Sequence, residues 1–254
     1  MLQQYSAAFD TVELNSSFYK APGKGAILGL TRNTPRGFTF TAKINQRFTH
    51  DLRLEMNEKT QNELEEFVEL FDPLLTQDKL GCLLAQLPPS LKRNDQLLEQ
   101  FLAALPHRYD YVVEFRHPSW VDPATWRMLA KYEAAYCIVD EPLLPPEVHV
   151  TSPIGYVRWH GQGKRPWYNY QYTKEQLEDW VPKVREIQSS TKKTFGIFNN
   201  HFHGFAPENC IQTMKLLDIA EPKHEKTLRR LQSYIERDLA GLPPPGTLDQ
   251  FTQP

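Results

Sequence analysis

The sequence is poor in cysteine, has no long apolar run and carries almost no net charge. Its three cysteines, Cys82, Cys137 and Cys210, show no C-x-x-C spacing, which argues against a disulfide framework or a cysteine-based zinc site and favours a cytoplasmic location. No stretch reaches about 18 apolar residues and no signal-peptide pattern opens the chain, so we expect neither a membrane span nor secretion. With 29 Lys+Arg against 31 Asp+Glu, the net charge of −2 gives no global attraction for nucleic acid, so a charged-ligand site must be local.

The motifs of several common enzyme classes are also missing. The sequence contains no G-x-S-x-G elbow, no Walker loop and no strand-linked G-x-G-x-x-G. The α/β-hydrolase, P-loop NTPase and dinucleotide-binding classes therefore lose their motif support, and we predict no cofactor.

Short apolar runs, rich in β-branched and aromatic residues, alternate with longer segments of helical periodicity. This alternation is typical of βα units on a parallel sheet, and 254 residues suit a single α/β domain of the TIM (β/α)8-barrel type. The seven runs that predict strands are Thr11–Asn15, Gly37–Ile44, Gly81–Leu87, Tyr111–Arg116, Ala135–Asp140, Gly155–His160 and Thr194–Asn200.

Helical spacing and capping residues predict the intervening helices. Asp122 precedes Pro123 as an N-cap, and Thr173 with Gln176 forms a capping box. The predicted helices are Glu58–Leu75, Asp95–Leu105, Pro123–Tyr132, Thr173–Gln188 and Pro222–Leu239, and a loosely held Pro-rich tail is expected over Leu242–Pro254. We therefore divide the chain into a barrel domain, 1–218, and a C-terminal helix with its tail, 219–254.

Every predicted strand finishes on polar or ionisable residues. Because a parallel sheet buries both faces, charges there must neutralise one another or a ligand, and the carboxyl ends of the strands are where barrel active sites lie. We predict catalytic roles for Glu13, Lys43, Glu114, Asp140 and His160, and ligand-binding roles for Asn15, Gln86, Arg116, Arg158, Gly161, Lys164, Asn199 and Asn200. The alternative is a ligand-free network in which Arg116 pairs with Glu114, and Arg158 with Asp140 or Glu13.

Two loops suggest an anion site. In the loop after the sixth predicted strand, Gly161 and Gly163 permit close backbone approach, and Lys164 and Arg165 supply cations. In Asn199–Asn209, Gly204 permits an unusual turn and Pro207 suits the first turn of a helix with free amides. The alternative is a solvated basic loop.

The sequence gives only weak signals for metal ligation and for histidine acid/base chemistry. Glu13, Glu114, Asp140 and His160 are residue types that bind Mn²⁺ or Mg²⁺, but their spacing carries no metal signature, so no metal is predicted. The pair His201 and His203 is a weak metal signal, and His50 and His117 follow strands closely enough to act as acid or base, with structural roles as the alternative. Aromatic side chains near the strand ends could stack on a ligand or pack the core: Phe18, Tyr19, Trp120, Trp159, Trp167, Tyr168 and Tyr170.

Six ordered motifs of the chain resemble those of the YecE-like family. This is a TIM-barrel family without an assigned function, and its members are sometimes described as related to sugar isomerases. They are FDTVELNSSFYKAP (Phe9–Pro22), TPRGFTFTAKI with the later Thr49–His50, DKLGCLLAQLPPS (Asp78–Ser90), VVEFRHPSW (Val112–Trp120), YVRWHG (Tyr156–Gly161) and FNNHFHGFAPENC (Phe198–Cys210). The resemblance implies that the family's first strand, with a Gly-x-Ser-Gly-Trp type motif, is missing from this chain and that numbering starts inside the helix that follows it.

Three functions of different class remain open. The first is an enzyme that acts on a small anionic or phosphorylated polyhydroxy compound, with Arg116, Arg158 and Lys164 holding the anion, Glu13 or Glu114 moving a proton and Lys43 stabilising an oxyanion. The second is a nucleic-acid-binding or processing barrel that uses Lys164 and Arg165 with flanking aromatics. The third is a ligand-binding or interaction protein without turnover. No membrane partner is expected.

Overall fold

A computed structural model of the chain describes residues 2–164 and 166–242, in which helices lie between most consecutive strands. The strands are β1 (Thr11–Leu14), β2 (Thr39–Lys43), β3 (Leu80–Gln86), β4 (Tyr111–Glu114), β5 (Ala135–Asp140), β6 (Ile154–Trp159) and β7 (Lys193–Phe198). The α-helices are α1 (Leu2–Ser6), α2 (Ser16–Tyr19), α3 (Lys24–Arg32), α4 (Glu58–Glu69), α5 (Asp72–Leu75), α6 (Asp95–Ala103), α7 (Pro123–Lys131), α8 (Lys174–Ser190), α9 (Phe205–Leu216) and α10 (Pro222–Leu239).

The strands form one seven-stranded sheet in the sequential order β1 to β7. The pairs from β1 to β5 are parallel, and Glu13 of β1 lies opposite Thr41 of β2. The predicted fold class, α/β of the TIM-barrel type with seven strands, is confirmed. All seven predicted strands are present, and no strand end differs from its prediction by more than two residues.

The helix predictions need one correction. The single helix predicted over Glu58–Leu75 is two helices, α4 and α5, because Pro73 in the first turn of α5 has no backbone N–H to continue the hydrogen-bond ladder. The other four predicted helices are present, and the helix expected near Pro207 begins at Phe205. The short helices α1, α2 and α3 were not predicted individually, and the tail predicted over Leu242–Pro254 lies outside the described residues from 243 onward.

The predicted helix caps are confirmed. The Gln176 backbone N–H donates to Thr173 Oγ1 at 3.3 Å, and the Thr173 backbone N–H donates to Gln176 Oε1 at 3.0 Å. Asp122 accepts a hydrogen bond from the backbone N–H of Ala124 at 2.8 Å. Short local signals therefore determine where these helices begin.

The chain divides into two compact units, which are described separately. Unit 1 comprises Met1–Val139, Leu143–Val157 and Ile187–Phe195. Unit 2 comprises Asp140–Pro142, Arg158–Glu186 and Gly196–Pro254. In the described part of the chain, no helix is both long enough and apolar enough to span a membrane.

In unit 1, an irregularity of β3 makes room for a large aromatic ring. The register of β2 and β3 shifts at Phe40/Thr41, and Gly81 is the extra residue on β3. A Cβ atom at Gly81 would overlap the Phe195 ring and would lie 2.9 Å from Thr39 Cγ2. Phe195 in turn packs against Tyr156, with ring centroids 5.9 Å apart. The absence of a side chain at Gly81 is therefore what allows Phe195 to pack here.

In unit 2, Trp159 is the centre of an aromatic cluster. Its ring stacks on Phe198 at 4.5 Å and meets Trp180 edge-on at 5.3 Å. A Cβ atom at Gly196 would approach the Trp159 ring to 3.0 Å. Trp159 is therefore core packing in this unit, where burial of large aromatic rings supplies much of the stabilisation.

Two glycine substitutions should change stability in opposite directions. Gly81→Ala should lower the free energy of unfolding by about 1–3 kcal/mol, because the new methyl group must displace Phe195 or Thr39. Gly29→Ala should raise it by about 0.5–1 kcal/mol, because Gly29 lies inside α3 and an added Cβ meets nothing within 4 Å. Urea denaturation followed by circular dichroism measures both, and destabilisation of equal size at the two positions would contradict this account.

Candidate functional site

The candidate residues of unit 1 lie at the carboxyl ends of β1 to β4. Gln86 lies opposite Glu114 in the parallel register. Glu13, Lys43 and Glu114 are buried, and Glu114 is fully inaccessible. Asn15 is different, because it is exposed and precedes α2 without a side-chain cap bond.

Lys43 contacts two neighbouring elements, β3 and α2. Its Nζ donates to Gln86 Oε1 at 2.7 Å and lies 5.3 Å from the centroid of the Phe18 ring. The Ser17 hydroxyl donates to the Lys43 carbonyl oxygen at 2.7 Å, which attaches α2 to the end of β2. Lys43 is thus a buried ammonium group held by an amide oxygen and an aromatic face.

The two carboxylates predicted to move protons have different partners. The Tyr156 hydroxyl donates to Glu13 Oε2 at 2.7 Å and lies 2.9 Å from Thr41 Oγ1. Glu114 forms an ion pair with Arg116, as the ligand-free alternative predicts for these two residues. Sequence reasoning missed Tyr156, although its even spacing from Arg158 and His160 along the predicted strand was a usable signal.

The segment after β2 has an unusual backbone. Residues Arg47–Asp51 form a π-helix, and the next residues, Arg53 and Leu54, have positive φ values of 50° and 70°. Leu54 is fully buried, and its N–H donates to the Phe48 carbonyl oxygen at 3.0 Å. Such strained, non-α conformations concentrate at functional sites. Helical periodicity gives no signal for a π-helix, so this feature was not predicted.

His50 lies on this π-helix and is half-buried. Its Nδ1 is 2.9 Å from Thr49 Oγ1, and its ring meets the Phe18 ring edge-on at 5.0 Å. Burial lowers the pKa of His50 below 6.5; the positive charges of Lys43 and Arg53 lower it further, whereas Asp51 raises it. We name Phe18, Lys43, Thr49, His50 and Arg53 the His50 cluster.

Arg53 is the second cation of the His50 cluster. It is exposed, and its guanidinium donates to the Ser90 hydroxyl at 3.1 Å and to the Ser90 carbonyl oxygen at 3.0 Å. At the other end of the π-helix, Arg47 donates to Glu63 Oε2 of α4 at 2.7 and 2.8 Å. Side-chain contacts therefore fix both ends of the segment that carries His50.

In unit 2, the side-chain donors to Asp140 are neutral. It accepts hydrogen bonds from the amide of Gln162 and, at 2.8 Å, from Trp180 Nε1. Tyr172 also lies close, since burial and the Asp140 carboxylate raise the pKa of its phenol above the usual range. The Tyr172 hydroxyl accepts from the Gly161 backbone N–H at 2.8 Å. Asp140 thus anchors the loop that begins at Gly161.

The asparagines that follow β7 are also engaged in unit 2. Asn199 Nδ2 is 3.1 Å from Nδ1 of the buried His160. Asn200 is fully buried, and its amide donates to the Tyr170 carbonyl oxygen at 2.8 Å and to Asn209 Oδ1 at 2.9 Å. These contacts connect the ends of β6 and β7 with the start of α9.

Gly161 and Gly163, both predicted to permit close backbone approach, differ in how strictly their positions require glycine. Gly161 has φ +96°, and a Cβ there would overlap the Trp167 carbonyl oxygen, so only glycine suits this position. At Gly163 a Cβ would be 3.2 Å from the same oxygen. Lys164 is exposed, Arg158 is fully buried, and Arg165 lies outside the described residues. An anion site between this loop and α9 stays a prediction.

The remaining histidines and aromatics have local contacts. His117 Nδ1 is 2.8 Å from the Ser119 hydroxyl, and His203 Nδ1 is 2.6 Å from Asp238 Oδ2 of α10. Trp120 is buried, whereas Tyr168 is partly exposed and stacks on His201 at 5.3 Å. Within residues 2–164 and 166–242, no group of three or more His, Cys, Asp or Glu side chains could hold a metal ion.

The surroundings of His50 lead to a titration prediction. The imidazole should titrate below pH 6.5, and Lys43→Met should raise its pKa because the substitution removes a nearby positive charge. Lys59→Met is the matched control, since Lys59 is on α4 with 83% of its side chain exposed. Two-dimensional NMR of the imidazole carbons against pH measures the pKa, and an unchanged value in Lys43→Met would contradict the geometry.

The same pKa shift gives a sign for the pH dependence of stability. Because the folded chain binds the His50 proton more weakly than the unfolded chain, the contribution of His50 to stability is complete above the unfolded pKa and is lost as the pH falls from the unfolded pKa to the lower folded pKa. The stability of the wild-type chain relative to His50→Asn should therefore decrease on acidification.

Comparison with known proteins places the chain in a family. The model of the family described as "Protein of unknown function DUF72" matches residues 1–233. The UPF0759 protein YunF of Bacillus subtilis (strain 168) is 29% identical, with 86% of each chain covered. The UPF0759 protein YecE of Escherichia coli (strain K12) is 29% identical over 120 residues, which are 47% of this chain and 42% of YecE.

Solved structures of similar proteins agree with this assignment. A DUF72 family protein from Thermotoga maritima MSB8 is 32% identical, with 85% of this chain and 88% of that chain covered and a TM-score of 0.78. A DUF72 family protein from Enterococcus faecalis V583, 22% identical, has the same fold, with 87% and 89% covered and a TM-score of 0.77. The resemblance to YecE is confirmed, and the chain belongs to the DUF72 family, to whose UPF0759 proteins YunF and YecE it is similar.

Proposed function

We propose that this chain binds a small anionic ligand that carries hydroxyl or carbonyl groups, and that it moves a proton on that ligand by acid/base chemistry. One observation carries the proposal: the Lys43 ammonium and the His50 ring both approach the Phe18 ring, at 5.3 and 5.0 Å, at the carboxyl end of β2. Carboxyl ends of parallel strands are where enzymes of this fold class place their sites.

The charges of the His50 cluster favour an anion. Lys43 and Arg53 both act electrostatically on His50 and Asp51 opposes them, so cations outnumber anions around this half-buried imidazole in a chain whose net charge is −2. A carboxylate or phosphate oxygen near this imidazole would be attracted by both cations, and partial burial strengthens that attraction. The His50 cluster is therefore a local positive region. An anion site needs such a region here, because the net charge of the chain gives no general attraction for anions.

The residues of unit 1 suit distinct chemical roles. Lys43 would stabilise negative charge that develops on a ligand oxygen. Glu114 would accept the proton, because it is a carboxylate at the end of β4 and lies opposite Gln86, the amide that holds Lys43. Glu13, to which Tyr156 donates, is the second candidate base. The catalytic roles of Asp140 and His160 stay predictions.

Binding of an anion tests the first half of the proposal. Inorganic phosphate and ribose 5-phosphate should shift the amide resonances of residues around His50, and Lys43→Met or Arg53→Gln should weaken binding about tenfold, the effect of about 1.4 kcal/mol from one charge-assisted contact. Lys59→Met should bind as the wild type does. Equal affinities of wild type, Lys43→Met and Arg53→Gln would reject this site.

Proton exchange tests the second half. In D₂O, the wild-type chain should catalyse deuterium incorporation next to the carbonyl group of a bound sugar phosphate, and Glu114→Gln should abolish it while retaining anion binding. Proton NMR of a panel of sugar phosphates follows the loss of the C–H signal. Binding without exchange across the panel would identify a ligand-binding protein without turnover, the third function considered from the sequence.

A further inference from the structure

We propose that Thr49 is the positioning residue of the His50 cluster: its hydroxyl donates to His50 Nδ1 and holds the neutral imidazole with its proton on Nε2. His50 then offers the ligand an N–H donor, which selects carbonyl, carboxylate or phosphate oxygens. This ligand class rests on the proposed function, whereas the tautomer of His50 can be tested without any ligand.

The hydrogen-bonding capacity of Thr49 determines the direction of the bond. The Thr49 side chain is fully buried, and among the described residues His50 Nδ1, at 2.9 Å, is the hydrogen-bond partner of its hydroxyl. If Nδ1 carried the proton, the hydroxyl would accept and its own hydrogen would remain buried without an acceptor, which is unfavourable. Donation from Thr49 to Nδ1 satisfies both groups.

The charges around His50 support a neutral ring. The groups that act on it electrostatically are Lys43 at the end of β2 and Asp51 and Arg53 on its own segment, and two of the three are cations. Burial acts in the same direction, since it disfavours the charged imidazolium. A neutral ring has one protonated nitrogen, so a Thr49 donor at Nδ1 leaves the proton on Nε2.

The backbone that carries this contact is unusual. Thr49 and His50 lie on the π-helix, whose Leu52 N–H donates to the Arg47 carbonyl oxygen at 2.8 Å. Such turns are rare overall and are frequent at functional sites. The backbone form therefore supports a functional role for the Thr49–His50 pair.

The three groups proposed to contact the ligand are all hydrogen-bond donors. Lys43 Nζ, the Arg53 guanidinium and His50 Nε2–H each carry hydrogens, and none of them can accept a hydrogen bond in this state. Ligand atoms that meet them must be acceptors, so ligand amines are disfavoured. The proton acceptor of the reaction must then be a carboxylate such as Glu114 and not His50.

Nitrogen-15 NMR of the imidazole tests the inference directly. In the wild type at pH 8, long-range ¹H–¹⁵N correlations should show a protonated Nε2 and an unprotonated, hydrogen-bonded Nδ1. Thr49→Val, which keeps the side-chain shape, should move the Nδ1 resonance towards that of a free nitrogen and raise the His50 pKa, because the neutral form loses its hydrogen bond. Thr49→Ser should restore both values, and Lys59→Met should change neither.

The outcomes separate this inference from the proposed function. Protonation of Nδ1 in the wild type, or Thr49→Val values equal to those of the wild type, would overturn the role of Thr49 whatever phosphate does. A protonated Nε2 with rescue by Thr49→Ser, but no response of the Nε2 resonance to inorganic phosphate, would establish the role of Thr49 and reject the anion site. Because rescue requires a hydroxyl, a general packing defect in Thr49→Val cannot imitate it.

Discussion

The buried ammonium group of Lys43 is the constraint on which the candidate site depends. A cation removed from water needs oxygen or aromatic partners, and the chain supplies the Gln86 amide oxygen and the face of Phe18. Phe18 lies on α2, so this contact requires α2 to remain at the end of β2. The Ser17 hydroxyl holds α2 there by donating to the Lys43 carbonyl oxygen. Burial and this same charge lower the pKa of His50, so Lys43 contributes to both the packing and the protonation of the site.

The strained segment after β2 shows how the chain maintains this arrangement. A buried leucine with φ 70° costs about 1–3 kcal/mol relative to ordinary backbone. The ion pair of Arg47 with Glu63 and the hydrogen bonds of Arg53 to Ser90 hold the segment at its two ends. A regular helix would bury Phe48 or Leu54 at lower cost, so core packing alone does not explain the strain. A strained backbone beside a half-buried histidine fits a positioned functional group.

The sequence predicts the fold well because its signals are local. Alternating apolar runs locate all seven strands, and Thr173 and Asp122 locate helix starts. The break before α5 depends on Pro73, and the hydrophobic pattern alone does not show it. Candidate residues at strand ends were also accessible from periodicity. Tyr156 shares that spacing, but its contact with Glu13 and the contact of Thr49 with His50 could not be predicted, because they depend on tertiary structure and side-chain orientation.

Residue type alone is a poor guide to which polar group does chemistry. Asp140 is a carboxylate at a strand end whose contacts with Gln162, Trp180 and Tyr172 also suit a structural anchor, so its catalytic role stays a prediction. His50 follows its strand less directly, but it is half-buried, faces two cations and has one nitrogen engaged by Thr49. An ionisable group can serve a ligand only if it has capacity left after the protein has satisfied it. By that criterion His50 qualifies, because Thr49 engages one of its two ring nitrogens.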